Sequence, residues 1–338
     1  MRAEVTLPAP AARPAPHLAA APGVSMPSPP APPSPPPPGG LAELRFQDQR
    51  VADVAYRLAT RNAGLCPDLA PLTGLVLHSG LEYSARLRPA AEAYFHIDDR
   101  PAVEAVAAGS PAQDAGLEPG DILLSIDGVA FETAAPRADD PRPPSYAPIA
   151  AALRLIDEGA ARGGAQLLVQ RGPARLALQL HGRTGCAYDA EVTPGDALNA
   201  SADGRHVFIT TALARRAASP DTLALVLGHE FAHDLLRHKA RLDRVSRARE
   251  TLGELGSTPA SLRLAEREAD YVGLYLAARA GYQIDDAPAF VRGLGGWADW
   301  LQWSHPGAAD RANGVAAARD EIARKAAAGE PLTPTPAG

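Results

Sequence analysis

The 338-residue chain has no long apolar run. A membrane-crossing helix needs about 18–20 consecutive apolar residues. The best run here, Leu223 to Leu227, ends in the polar cluster that starts at His229. The chain also lacks an excess of positive charge. Its net charge of -6 and pI near 5.9 give no basic field for nucleic acid or an anionic membrane surface. Cysteine occurs only twice, at Cys66 and Cys186. Residues 1–40 hold 14 of the 34 prolines, mixed with Ala and Ser, and contain none of the apolar segment of about 7–15 residues that a secretory signal requires. They read as a flexible, partly polyproline-like tail. These absences predict a soluble, globular chain with room for two domains. Its compartment stays open, because an export signal could lie upstream of this start.

After the tail, Leu44, Val51, Val54, Ala55 and Leu58 recur at helical spacing between Leu41 and Asn62, with Gly64 as a stop signal. From about residue 76 to 183 the pattern changes to short alternating strands and turns. Beyond Cys186 it predicts one hairpin, Tyr188 to Thr211, and then helices over Pro220–His238, 257–280, 287–303 and 308–327. Ser219 suits the N-cap of the first of these, Pro220 its first turn, and Asp221 the positive end of its dipole. Residues 329–338 read as a disordered tail.

That helix carries Gly228-His229-Glu230-Phe231-Ala232-His233. Two His at i and i+4 project about 40° apart, so two ring nitrogens can converge on one ion. A Glu directly after the first His can reach a water on that ion and take its proton. A catalytic zinc needs a third protein ligand and an open fourth position. On a continuous helix His238 points about 180° away from His229, as a surface or capping residue. Glu266 is the better third ligand. It shares a helical face with Asp270, which is placed to accept the other ring N–H of a zinc-bound His. Glu268 is expected to face solvent. Trp297, Trp300 and Trp303 recur three apart, as core packing or as a pocket wall.

Leu227 to His233, followed by Glu266-Arg267-Glu268-Ala269-Asp270-Tyr271-Val272-Gly273, resembles metallopeptidase family 48. This is a gluzincin group that includes CAAX prenyl proteases, HtpX and Oma-type peptidases. Asn199-Ala200, with Gly204 and Val207 to Thr210, resembles the family's edge strand. Ser304-His305-Pro306 with Arg311 resembles its C-terminal element. The resemblance implies one Zn2+ per chain held by His229, His233 and Glu266, Glu230 as catalytic base, and extended protein or peptide substrates paired with the edge strand. It makes His305 a catalytic neighbour, with a turn brace before Pro306 as the alternative, and Arg311 a structural partner for a carboxylate such as Asp270.

Within residues 76–183, Ser110-Pro111-Ala112, Ala115-Gly116-Leu117, Pro119-Gly120-Asp121-Ile122-Leu123 and Ile126-Asp127-Gly128 resemble the PDZ domains of HtrA-type proteases. PDZ grooves capture a peptide terminus through an apolar-Gly-apolar loop. Phe95-His96-Ile97 is the nearest counterpart, with His in place of Gly, so a spacer or regulatory lid is the alternative role.

The fold class expected is α+β, a mainly helical zincin-type metallopeptidase with an inserted PDZ-like β domain. The expected boundaries are 1–40 for the tail, 41–70 for the first peptidase helix, 76–183 for the PDZ-like domain and 186–328 for the peptidase. The expected activity is that of a zinc metalloendopeptidase; the rival is a PDZ-based scaffold with a structural or vestigial metal site. Since the resemblance makes the PDZ-like domain interrupt the peptidase between Cys66 and Cys186, these two could flank one neck as a disulfide. That bond would favour the periplasm, whereas two reduced thiols would favour the cytoplasm.

Overall fold

The computed structural model describes residues 36, 39–133, 142–250, 259–294 and 308–335. Helix α1 (Gly40–Arg61) leads through β1 (Leu69–Leu72) into a segment built of β2 (Leu75–His78), α2 (Arg88–Phe95), β3 (Ala102–Val106), α3 (Pro111–Asp114), β4 (Ile122–Ile126), β5 (Val129–Ala130), α4 (Ala147–Ala161), β6 (Ala165–Arg171) and β7 (Ala174–Leu180). Strand β8 (Arg183–Cys186) returns beside β1. There follow β9 (Asp189–Thr193), β10 (Ala200–Ala202), β11 (His206–Thr210), α5 (Thr211–Arg216), α6 (Pro220–Leu235), α7 (His238–Glu250), α8 (Pro259–Arg279), α9 (Ala287–Gly293) and α10 (Ala308–Ala327). The fold is α+β. Among the described residues no helix is long and apolar enough to cross a membrane.

The helical part forms around α6. Ser219 and Thr222 close a reciprocal capping box at its start, with Pro220 in the first turn. Leu223, Leu227 and Phe231 then recur at four-residue spacing and bury against Val54 and Leu58 of α1, Val207 and Ile209 of β11, and Val272 and Leu276 of α8. Each such fully buried side chain contributes about 1.5–3 kcal/mol. Asn62, just past α1, ties this layer together. Its amide donates to the carbonyl oxygens of Leu58 and Leu276, while its oxygen accepts from Arg279.

The segment from 188 to 211 corrects the single hairpin expected there. Only β10 and β11 form a hairpin; β9 runs parallel to β11, from Asp189 opposite His206 to Thr193 opposite Thr210. A parallel pair needs a crossover, and residues 194–205 supply it. Thr210 and Thr211 hold that crossover, accepting from the Asn199 and Gly195 N–H groups.

Between β1 and β8 the chain forms a six-stranded sheet ordered β2-β3-β4-β6-β7, with β5 beside β4. Helix α4 buries Ile149, Ala152 and Ile156 against Val103, Leu123, Ile126, Leu167 and Val169 of that sheet. Leu69 to Leu72 pair antiparallel with Cys186 to Arg183, and a Cys66–Cys186 disulfide closes the neck with Cα atoms 5.4 Å apart. Above the neck, Ala52 and Tyr56 of α1 pack on Ala105 and Ala107. Beside them the Asp48 and Glu104 carboxyls share a hydrogen bond in a buried setting. Burial first, and the neighbouring Glu82 and Glu191 charges second, push Asp48 up to about 7.

Candidate metal centre

Two helices bring the polar residues together. At the closest approach of α6 and α8, Gly228 lies against Gly273. A Cβ on Gly228 would meet the Gly273 carbonyl oxygen at 2.8 Å, and one on Gly273 would meet the His229 nitrogen at 2.7 Å. With both side chains absent, backbone touches backbone, and Glu266 and Asp270 of α8 reach the His face of α6.

His229 Nε2 lies 3.1 Å from His233 Nε2 and 3.3 Å from Glu266 Oε2, and His233 Nε2 lies 3.6 Å from Glu266 Oε1. These are the residues that could hold a metal ion, with one donor atom each within 4.8 Å of the others. Zinc bound tetrahedrally by nitrogen and oxygen at about 2.0–2.2 Å requires donors roughly 3.3–3.5 Å apart. The donor set fits. His229 Nδ1 sits 2.9 Å from Asp270 Oδ1; the carboxylate can only accept, so Nδ1 donates and Nε2 faces the cluster. Asp270 in turn accepts from Arg311 Nε at 2.8 Å and from its Nη2 at 2.6 Å.

The electrostatics of the pair are opposed. Burial alone would lower His229, but the Asp270 and Glu266 carboxylates outweigh it and raise the ring to about 10. His233 is pushed down to about 3 by burial and then by the charge on His229. Asp270 is held below its ordinary value: burial raises it, but Arg311 and His229 prevail. Glu230, directly after His229 on α6, is buried at 6% exposure.

The expected position of His238 is corrected. Helix α6 ends at Leu235, Arg237 takes a left-handed φ of 52°, and His238 begins α7. The break turns His238 back towards the cluster, at 1% exposure. Its Nδ1 lies 3.0 Å from His233 Nδ1 and its Nε2 lies 3.1 Å from Glu268 Oε2. Burial lowers its pKa. Glu268, expected in solvent, is buried as well and accepts from Arg241 at 2.9 Å. The angular argument for His238 assumed one unbroken helix, and Glu268, on α8, is buried because His238 and Arg241 of α7 fold back over it. Arg237 is neither Gly nor Asn, so nothing local in the sequence announced the break.

His305 and the three Trp residues lie outside the described residues. Phe95 and Ile97 are buried with Tyr83, Ala91, Ala102 and Ile122, and His96 is the left-handed cap of α2. The His96 and Ile97 N–H groups both donate to the Glu92 carbonyl. They are spent on a helix cap, which corrects the reading of this segment as a terminus-binding loop. The segment that leads into an edge strand is Thr73-Gly74-Leu75 ahead of β2, with Gly74 at a φ of 73°. A Cβ on Gly74 would meet Ser110 Cβ at 2.3 Å, so only glycine fits. The sequence here, Leu72-Thr73-Gly74-Leu75, has the glycine but a threonine directly before it, which hides the apolar-Gly-apolar pattern.

Comparison with known proteins finds two family patterns in the chain. The pattern of Peptidase family M48 matches residues 168–253, and the PDZ domain pattern matches residues 102–136. The chain thus contains one region similar to family M48 and one similar to PDZ domains. The M48 match contains His229, Glu230 and His233 and ends before Glu266, so the third donor rests on the geometry of α8. Among solved structures, the HtrA3 PDZ domain bound to a phage-derived ligand (FGRWV) is similar over 34% of this chain and 88% of its own length, with 17% identity and a TM-score of 0.25. No curated protein matches the chain.

Proposed function

We propose that this chain is a zinc-dependent metalloendopeptidase acting on extended segments of protein or peptide. The observation that supports it most directly is the set of three donors at tetrahedral spacing beside the buried Glu230. His229, His233 and Glu266 would hold the ion. When bound, zinc polarises a carbonyl group and lowers the pKa of a water towards about 7. Glu230 takes the proton of the attacking water on its carboxylate and returns it to the leaving amine nitrogen. Asp270, fixed by Arg311, keeps the His229 Nδ1–H engaged so that Nε2 stays aimed at the ion. The edge strand β10, on the α6 side of its sheet, offers backbone groups to an extended substrate. The PDZ domain recruits or regulates, and the Thr73-Gly74-Leu75 loop beside β2 is the place for a peptide terminus. The Cys66–Cys186 bond fits an oxidising compartment such as the periplasm.

A PDZ-based scaffold with a structural metal site has no use for Glu230 beside the donors. The test is zinc content together with cleavage of unfolded casein by wild type and Glu230→Gln. Both proteins should carry one zinc per chain, and the variant should lose about 10²–10⁴ in turnover, the usual contribution of proton transfer. Comparable turnover in the two proteins would end the mechanism. Zinc without any cleavage by the wild type would favour the scaffold.

A further inference from the structure

We propose that His238 is a positioning residue that selects the ring tautomer of His233, so that both histidines present Nε2 to the metal. The inference rests on the reading of His229, His233 and Glu266 as a zinc site.

It follows from hydrogen-bond roles alone. Glu268 Oε2 accepts from Arg241 Nη1 at 2.9 Å, which marks it as a carboxylate oxygen with only lone pairs to offer. His238 Nε2, 3.1 Å from that oxygen, must therefore donate. A neutral ring that donates from Nε2 has a bare Nδ1, and this atom faces His233 Nδ1 at 3.0 Å. Two bare nitrogens would repel, so His233 carries its hydrogen on Nδ1 and donates it to His238. That leaves His233 Nε2 with a free lone pair on the side of His229 and Glu266, at 3.1 Å and 3.6 Å. His229 is set to the same tautomer by another route, through Asp270 and Arg311, and an ion shared by the two Nε2 atoms would remove the repulsion between their lone pairs. Each imidazole thus has its own supporting chain: Arg311–Asp270–His229 from α10 and α8, and Arg241–Glu268–His238–His233 from α7 and α8. The arrangement needs the break at Arg237, because an unbroken α6 would carry His238 to the opposite face.

The test compares three variants, with two readouts besides activity: zinc affinity by chelator competition and the visible spectrum of the cobalt-substituted protein. His238→Asn keeps an acceptor oxygen near the Nδ1 position. His238→Gln keeps the reach to Glu268 but offers nothing at that position, and His238→Ala keeps neither. Positioning predicts that Asn stays within a few-fold of wild type, with its cobalt spectrum preserved. Gln and Ala should each weaken zinc binding by on the order of 10–100-fold, the usual effect of losing an outer-shell partner, and alter the cobalt spectrum. Equal affinity in Gln and wild type, or Asn as weak as Ala, would overturn the inference. The Asn–Gln pair decides the matter even if Ala fails to fold. If wild type binds no zinc, the metal site itself fails; if wild type binds and all three variants match it, only the role of His238 fails.

Discussion

At the scale of single residues, the two imidazoles of the metal centre share a helix face but sit in opposite electrostatic settings. His229, raised to about 10 by two carboxylates despite its burial, carries a proton at neutral pH in the metal-free chain. His233, lowered to about 3, is already neutral. Metal binding needs both lone pairs, so the ion must displace one proton from His229 and none from His233. Zinc affinity, after correction for the chelator, should therefore rise about tenfold per pH unit between about pH 6.5 and pH 8.5, as one-proton linkage requires. An affinity independent of pH over that range would contradict the assignment of the proton to His229. Which residues gather here was partly legible in the sequence. His229 and His233 follow from i, i+4 spacing, and Glu266 with Asp270 from the same rule on a second helix. His238 and Glu268 were not, since their place depends on a left-handed Arg237 that no Gly or Asn foretold.

At the scale of elements, the site depends on how closely α6 and α8 approach. Gly228 and Gly273 were read as parts of a motif, without a physical role. A Cβ at either position would collide with backbone atoms, which cannot rotate away as a flexible side chain can. Gly273→Ala should push the helices apart, at a cost of about 1–3 kcal/mol for overpacking. It should also draw Glu266 and Asp270 away from His229, so that zinc affinity falls along with stability. Denaturant midpoints and chelator competition measure the two effects. A Gly273→Ala protein that binds zinc as wild type does would show that the close approach is dispensable. The elements themselves were readable where the pattern was local. The caps at Ser219 and Pro220 marked α6, and the helical spacing of Leu44, Val51, Val54, Ala55 and Leu58 marked α1. The parallel pairing of β9 with β11 was hidden, because strand direction is set by a crossover and not by composition.

At the scale of the whole molecule, the segment from β2 to β7 enters and leaves the rest of the chain through one neck, the β1–β8 ribbon next to Cys66 and Cys186. The ribbon pairs these segments only in the folded chain, so it does nothing to restrict the unfolded one. The disulfide does, because it closes a loop with a sequence separation of 120 in the denatured ensemble. In the chain-entropy model such a closure contributes about 4–5 kcal/mol. Replacing both residues, Cys66→Ser with Cys186→Ser, should lower the unfolding free energy obtained from denaturant titration by an amount of that order, and a reductant should do the same to wild type while leaving the double variant unchanged. The proposed zinc centre should survive in the double variant, since its donors sit on α6 and α8, and both helices lie after the neck. Metal content at low denaturant should therefore match wild type even though global stability does not. Two titratable thiols in protein purified without reductant would remove the premise. A double variant as stable as wild type would mean that residual structure in the unfolded chain already holds the two ends of the insertion together.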